Sequence, residues 1–349
     1  MLNPNIILFS ILLLLSTFVY ADPIVDNPID DVEVNEDAPD TIIDLTEVFT
    51  DPDNDDSAIE KSIESNTNPD LVIATVFENT LTLDYQDNQY TNATITILAT
   101  SNGVTVTDEF TVTVNPVNDE PSFEYTDVVA VNEDSGLYEA SWAFNISVGP
   151  DNESDQIPTF EIISNDHESY FSIQPSISEL GVLTFTSADN QHGEAIITVR
   201  LTDDGGTANG GDNTYDDQTF TIKINPIADT PNITDAETDE DIMSSSGLVI
   251  TRNAVDSEEV THFKITGITN GTLYQNNGST SITNNEFITF AEGNAGLKFD
   301  PDEDYYGSGF ITIQASVSSS NGGLGGSTVI ATVTVNPVND EPSFEYTDV

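Results

Sequence analysis

The sequence predicts an all-β protein built from tandem β-sandwich modules. Segments with alternating apolar and polar residues recur along the chain, rich in Thr, Val, Ile and Phe and bounded by Asn, Asp and Gly. Such alternation places every second side chain in a core and is typical of half-buried strands. No window keeps a helical period for more than about two turns. The length of 349 residues is enough for several ordinary domains.

The composition is strongly acidic and excludes some partners. Asp and Glu number 62 against 6 Lys and Arg, a formal net charge of −56. Nucleic acids and anionic membranes need clustered basic residues, so neither is expected as a partner. With no cysteine, disulfides and cysteine-based metal sites are excluded. Hard cations are the natural counter-charge for this many carboxylates.

The first 21 residues resemble a secretory signal peptide. An apolar run from Ile6 to Tyr20 ends at Ala21, before Asp22. This run is short for a membrane span of about 20 residues, and Ala21 is the small residue that a signal peptidase prefers. No later stretch could span a bilayer. We therefore expect a secreted or cell-surface protein.

Internal repeats divide the rest of the chain. Residues 111–128 read TVTVNPVNDEPSFEYTDV, residues 332–349 repeat them without change, and residues 221–233 are a looser copy. In each copy an alternating strand ends at an Asn-Pro pair, and proline ends strands because it cannot donate to the ladder. The repeats predict modules at 22–120, 121–230 and 231–341, with 342–349 as the first strand of a truncated fourth.

The same order of strands is predicted in each module. The clearest alternating segments are 80–85, 93–100 and 109–114 in the first, 181–186, 195–201 and 219–224 in the second, and 286–290, 310–315 and 329–335 in the third. Modules of about 100 residues with this many short strands are typical of a seven-strand sandwich. The predicted architecture is an extended array of such modules.

The proline-flanked boundaries carry a family resemblance. Residues 114–121 (VNPVNDEP) and 335–342 resemble the linker of cadherin repeats, and in particular the cadherin-like repeats of large bacterial surface adhesins. The likeness covers nearly everything after residue 22 and implies cadherin-like, immunoglobulin-like sandwiches that bind Ca²⁺ where consecutive modules meet. We call these three meeting points the first, second and third junctions.

Carried over position by position, the resemblance implies an acidic set of ligands at the first junction. Pro116 stands where the family has its first linker aspartate, and Gln86 replaces a glutamate, so fewer ions are implied than in the family. The implied ligands of the first junction are Glu36, Asp84, Asn118, Asp119, Asp151, Glu153, Asp155 and Asp203.

The other two junctions are less complete. At the second, Glu133 and Asp229 remain, Ala228 occupies the asparagine position, and Asp256 and Glu258 could reach in from the third module. Weak binding or an empty site is expected there. The third junction is expected to be half-formed because its partner module is truncated. Its implied ligands are Glu240, Asp300, Asp302, Asn339 and Asp340.

Two acidic or basic features favour ordinary structural roles. Residues 51–56 (DPDNDD) suggest an EF-hand loop, but Asp56 and Ser62 stand where that loop needs Gly and Glu. We interpret the segment as a surface loop. The three histidines, His167, His192 and His262, are interpreted as lone surface residues.

No catalytic motif is present, so an enzyme is not expected. The sequence lacks a Gly-x-Ser-x-Gly elbow and a phosphate-binding P-loop. Trp142, Tyr138 and Phe144 are predicted to be core residues. Three hypotheses remain open: a calcium-stiffened adhesion or spacer array whose partner is a protein or glycan, a purely structural acidic stalk, and a carbohydrate-binding surface module.

Overall fold

The structure is a computed structural model that describes residues 21–341. The predicted signal peptide, apart from Ala21, and the predicted strand at 342–349 lie outside these residues. Within them, no helix is long and apolar enough to cross a membrane. The all-β prediction is confirmed, because the one α-helix among residues 21–341, α1, spans only Phe290–Asn294. Short 3₁₀ turns cover Asp56–Ala58, Asp151–Glu153, Glu168–Tyr170, Ala208–Gly210 and Asn321–Gly323.

The chain forms two compact units. The first contains the chain up to Ser122 together with Ser147–Pro158 and Thr202–Tyr215. The second contains Phe123–Ile146, Thr159–Leu201 and the chain from Asp216 onward. The acidic segments around Asp151 and Asp203 therefore belong to the same unit as Glu36, Asn118 and Asp119.

The first sandwich lies in the first unit. Its strands are β1 Ile24–Val25, β2 Val32–Asn35, β3 Thr41–Asp44, β4 Phe49–Thr50, β5 Glu60–Asn66, β6 Val72–Phe77, β7 Thr80–Tyr85, β8 Thr91–Ser101 and β9 Val104–Asn115. A four-stranded sheet has the order β2-β9-β8-β5, a three-stranded sheet the order β3-β7-β6, and β1 pairs with β4. Leu81 and Leu83 of β7 and Ile95 and Ile97 of β8 are fully buried in the shared core. Burial of each such side chain contributes about 1.5–3 kcal/mol.

The second sandwich repeats this topology. Its strands are β10 Ser122–Tyr125, β11 Val128–Asn132, β12 Leu137–Ser141, β13 Ala143–Ser147, β14 Thr159–Asn165, β15 Phe171–Ile177, β16 Val182–Ser187, β17 Gly193–Thr202 and β18 Gln218–Asn225. The orders are β11-β18-β17-β14, β12-β16-β15 and β10-β13. Its core is aromatic, with the rings of Trp142 and Phe220 4.4 Å apart.

The third sandwich carries one extra strand. Its strands are β19 Asn232–Ile233, β20 Ala236–Asp239, β21 Ile250–Thr251, β22 His262–Thr269, β23 Gly271–Tyr274, β24 Ser281–Ile282, β25 Phe287–Thr289, β26 Lys298–Pro301, β27 Gly307–Ser316 and β28 Leu324–Asn336. The orders are β20-β28-β27-β22-β25, β24-β23-β26 and β19-β21. The predicted strand 286–290 is too long at its end, because Phe290 begins α1 behind a capping box of Thr289 and Glu292.

One pairing is common to the three sandwiches and positions the junctions. An early strand runs parallel to the last one: β2 to β9, β11 to β18 and β20 to β28. Parallel strands end at the same edge of a sheet. The residues that follow each early strand therefore lie beside the linker that follows the last strand.

The aromatic core prediction holds for Trp142 and is wrong for Phe144. Trp142 is 1% exposed, whereas Phe144 is 47% exposed. The backbone N–H groups of Trp142 and Ala143 both donate to the carbonyl of Gly181, so the strand gains a residue there. Such a bulge reverses the facing of later side chains, which turns Ala143 inward and Phe144 outward. Tyr138 is partly buried and stacks on Phe185 at 4.8 Å.

Candidate metal sites at the junctions

Glu36 anchors the first junction at the shared edge of β2 and β9. Its backbone N–H donates to the carbonyl of Asn115, and its Oε1 accepts the backbone N–H of Val117 at 2.6 Å. Glu36 is 5% exposed. The parallel pairing thus places a buried carboxylate directly beside the linker.

Glu153 reaches the same place from the segment after β13. A 3₁₀ turn, Asp151–Glu153, presents its side chain, which is 7% exposed. The carboxylate accepts the backbone N–H of Asp119 at 3.1 Å. The neighbouring Asn152 donates from Nδ2 to Glu36 Oε2 at 3.2 Å. Two buried carboxylates are therefore tied to one linker.

Asn118 connects the linker to the segment after β17. Its Nδ2 donates to Asp203 Oδ1 at 3.0 Å and to the carbonyl of Asp212 at 2.6 Å. Its Oδ1 accepts from Gln156 Nε2 at 2.8 Å. Both Asn118 and Asp203 are buried. The asparagine amide is thus fully used in positioning, with its oxygen directed at another amide.

The first junction contains oxygen atoms that have no hydrogen-bond donor among the described residues. They are Asp119 Oδ2, Asn152 Oδ1, Gln156 Oε1 and Asp203 Oδ2, all of them buried. Buried polar atoms in folded proteins are almost always paired, so each of these needs an explanation. All four are oxygens, which is the ligand chemistry that Ca²⁺ prefers.

The electrostatics of the first junction are unfavourable without a cation. Burial raises the pKa of Glu36, Asp119 and Glu153 above their ordinary values. Like charge raises each pKa further, as Asp119 does for Glu36, and Asp119, Glu36 and Asp203 do for Glu153. A neighbouring cation would lower the same pKa values.

Three of the predicted ligands of the first junction are exposed. Asp151 and Asp155 flank the buried Glu153 on its loop, and Asp84 lies on β7. Their assignment as ligands stays a prediction. The residues that the structure brings together are Glu36, Asn118, Asp119, Glu153 and Asp203, with Asn152 and Gln156 added.

The acidic loop at 51–56 behaves differently. Asp56 Oδ1 accepts the backbone N–H of Asp51 at 2.8 Å, and Asp51 Oδ2 accepts from Asn54 at 2.7 Å. A hydrogen bond from Ser101, with others from the loop, lowers the pKa of Asp51. These carboxylates are satisfied by the protein itself, as expected for a structural loop.

The second junction brings together more side chains that could act as ligands than the sequence suggested. Glu133 Oε1 accepts the backbone N–H of Ile227 at 2.7 Å, and Asp256 Oδ1 accepts that of Asp229 at 2.8 Å. Ala228 instead belongs to the core of the third sandwich. Glu258 is exposed, whereas the side chain of Glu259 is only 6% exposed and points to Glu133 and His192.

His192 is not the lone surface residue that the sequence predicted. Its Nδ1 lies 3.4 Å from Glu133 Oε2 and 3.0 Å from Glu259 Oε2. Sequence reasoning missed it because the pairing partners are far away in the chain, on different elements. The available signal was position, since His192 stands where the matching segments of the other modules have Tyr90 and Tyr306.

The third junction is assembled from exposed aspartates. Oxygens of Asp241, Asp304 and Asp340 lie within 4.8 Å of one another. Glu240 is buried and accepts the backbone N–H of Val338. Sequence reasoning missed Asp241, which adjoins Glu240, and Asp304, which stands two residues after Asp302.

Of the remaining predicted ligands of the third junction, Asn339 lines one surface pocket together with Glu240, Asp304 and Asp340. Asp300 lies in β26 opposite Thr272, and Asp302 and Asn339 are exposed. Among the described residues, ligand atoms converge within 4.8 Å in threes at this junction and at the second. The carboxylates of the first junction do not form such a trio.

Comparison with solved structures finds cadherin extracellular domains. Domains EC21-23 of human CDH23 match with a TM-score of 0.49 and 14% identity, over 90% of this chain and all of that one. Domains 1-5 of protocadherin gamma B2 match with a TM-score of 0.46 and 15% identity over 91% of this chain. This chain spans 61% of the length of that protein. Domains EC22-24 of mouse cadherin-23 match with a TM-score of 0.42 and 16% identity, over 91% of this chain and all of that one. No family model and no curated protein sequence matches.

The sheet topology by itself defines a protein of tandem β-sandwich modules. The likenesses to cadherin extracellular domains are remote in sequence.

Proposed function

We propose that this chain is a calcium-binding adhesion or spacer array that acts outside the cell and is not an enzyme. The observation that carries the proposal is the set of four buried, unpaired oxygens at the first junction, beside carboxylates whose pKa values are raised. A hard divalent cation explains both features, because it takes six to eight oxygen ligands and offsets the repulsion between carboxylates.

The ligands we assign to Ca²⁺ at the first junction are Glu36, Asp119, Glu153 and Asp203, with Asn118 positioning them. Two carboxylates about 4 Å apart repel by roughly 4 kcal/mol at an effective dielectric constant near 20. Calcium supplies the charge that draws them together.

The chemistry of the linker explains how binding would stiffen the array. Glu36 and Asp119 come from the first sandwich and its linker, whereas Glu153 and Asp203 come from segments that follow strands of the second. An ion held by both sets restricts the linker. Extracellular modules work with weak sites, of order 10⁻⁴ to 10⁻³ M, because the surrounding medium supplies calcium. This arrangement supports the proposal of a role like that of the cadherin-like repeats of bacterial surface adhesins.

The proposal is tested by small-angle X-ray scattering of the full chain in chelator and in calcium. Calcium is expected to narrow the distribution of molecular dimensions, and Asp119→Ala is expected to abolish that response. Glu109→Gln, an exposed site on β9, is the matched control and should respond as the wild type does. An equal response of the Asp119 variant, or no response of the wild type, would favour an acidic stalk without ion dependence.

A further inference from the structure

The second junction is built on the same backbone plan as the first. Val117 and Ile227 donate their N–H groups to Glu36 and Glu133, respectively. Asp119 and Asp229 likewise donate to the buried acids of the following segment, Glu153 and Asp256. The two junctions therefore present equivalent positions, and differences in their side chains are differences in ligand chemistry.

His192 is the main chemical difference. In each sandwich a residue with positive φ donates its backbone N–H to an aspartate: Asn88 to Asp37, Asn190 to Asp134, and Asp304 to Asp241. Two residues later the side chain is Tyr90, His192 and Tyr306, respectively. Only the second sandwich has an imidazole at this position.

The second junction contains buried polar atoms that lack a hydrogen-bond partner in the described part of the chain. Glu133 Oε2, His192 Nδ1, Asp256 Oδ2 and Glu259 Oε2 are buried, and none makes a hydrogen bond within the described residues. The side chain of Glu133 is 2% exposed, and Asp256 is 0% exposed. His192 Nδ1 is close to both glutamates but lacks hydrogen-bond geometry to either one. Unpaired polar atoms at this depth are costly and point to a missing partner.

We propose that the second junction binds a divalent transition-metal ion of the Zn²⁺ type through Glu133 Oε2, His192 Nδ1 and Glu259 Oε2. Calcium takes oxygen ligands, whereas imidazole nitrogen suits zinc, copper, iron and nickel. Zinc with ligands at about 2.0–2.2 Å in a tetrahedron separates neighbouring ligand atoms by about 3.4 Å. The separations of 3.0 and 3.4 Å from Nδ1 fit that arrangement. Asp256 Oδ2 is a further buried, unpaired oxygen of the second junction, outside the trio of ligand atoms that lie within 4.8 Å of one another.

The competing explanation is that protonated His192 is itself the counter-charge. An imidazolium between two carboxylates would need no metal. It would, however, donate a hydrogen bond to at least one of them, and Nδ1 donates to neither. The geometry favours a metal, and the experiment below separates the two explanations.

The proposal is tested by titrating Zn²⁺ into the full chain by calorimetry, in calcium that occupies the first junction. We expect one zinc site in the wild type and a loss of affinity of about tenfold or more in His192→Tyr, which installs the residue of the other two modules. His167→Gln is the matched control for weak zinc binding by any histidine, since His167 stacks on Tyr170 and is half exposed. Absence of zinc binding in the wild type, or equal affinity in His192→Tyr, would overturn the proposal.

Two further measurements distinguish a lost zinc ligand from a variant that fails to fold. Glu259→Gln should weaken zinc binding, whereas Glu258→Gln, one residue away and exposed, should not. The absorption spectrum of Co²⁺ bound to the wild type should show the intense visible bands of low coordination. The weak visible bands that are typical of octahedral Co²⁺ would contradict a site of low coordination number. Asp119→Ala should abolish the calcium response but keep zinc binding, so the two sites can fail separately.

Discussion

The carboxylate of Glu153 accepts the backbone N–H of Asp119 at 3.1 Å, although the two side chains carry the same charge. The backbone of one acidic residue thus holds the carboxylate of another beside its own. This contact keeps two like charges close together where both are partly buried from solvent. The free energy of this arrangement depends on whether a cation is present.

Glu153→Gln should have opposite effects on stability in chelator and in calcium. The amide oxygen can still accept from Asp119, but the buried charge is gone, so the melting temperature in chelator should rise. In calcium the variant loses a ligand, and its melting temperature should fall below that of the wild type. Differential scanning calorimetry in both buffers is the measurement. A variant that is less stable than the wild type in both would contradict the assigned role.

Acidification should stabilise the calcium-free chain. The pKa of Glu36, Asp119 and Glu153 is raised in the folded state, mainly by burial, so the folded state binds more protons than the unfolded state in that window. The free energy of unfolding therefore rises as the pH falls from 7 through the raised pKa values toward the ordinary values. Groups with lowered pKa, such as Asp51, lose their contribution only below the ordinary value near 3.8.

Calcium should reverse this pH dependence. Protons compete with the ion for the same carboxylates, so acidification should reduce the melting temperature in calcium. In chelator, the contribution of Glu153 to the pH dependence of stability is obtained by subtracting the melting-temperature profile of Glu153→Gln from that of the wild type. A difference profile that is flat between pH 7 and the ordinary pKa near 4.5 would contradict the raised pKa of this carboxyl.

Much of the fold follows from the sequence because its determinants are local. The segment 80–85 alternates over its full length and forms β7 between the same two residues. Phe144 was misplaced because a bulge at Trp142 and Ala143 depends on the partner residue Gly181, which alternation alone does not reveal. The alternating pattern extends the predicted strand to Phe290, whereas the capping box of Thr289 and Glu292 starts α1 at that residue.

The junction residues could be predicted only in part. Glu36 and Asp119 follow strand ends, and parallel strands bring such positions together. Glu259 and His192 were missed because their burial depends on contacts between distant segments. The sequence does not reveal which of two adjacent acidic residues, such as Glu258 and Glu259, faces inward. It does not reveal this for a single histidine either.

Asn118→Ala should destabilise the first junction even without calcium. The side chain donates to Asp203 and to the carbonyl of Asp212, and both acceptors are left without that donor in the variant. Loss of such buried hydrogen bonds costs about 1–3 kcal/mol. Chemical denaturation in chelator is the measurement, with Asn92→Ala at an exposed site on β8 as a comparison for asparagine truncation. Equal costs at the two sites would contradict a positioning role for Asn118.

Trp142→Ala and Phe144→Ala should differ sharply in their cost to stability although only Ala143 lies between the two residues. Trp142 is 1% exposed and donates from Nε1 to the carbonyl of Thr126 at 2.9 Å, so its removal should cost about 3–5 kcal/mol. Phe144 is 47% exposed, and its removal should change stability by no more than about 0.5 kcal/mol. Urea unfolding followed by circular dichroism measures both. Similar costs would show that the bulge does not reverse the facing of β13.

The most direct test of the central claim is a calcium titration of the full chain by calorimetry, compared with that of a double variant, Asp119→Asn with Glu153→Gln. We predict that the wild type binds calcium with a dissociation constant of order 10⁻⁴ to 10⁻³ M or tighter, and that the double variant loses this binding event. Calcium binding of equal affinity and stoichiometry in the double variant would contradict the first junction as a calcium site.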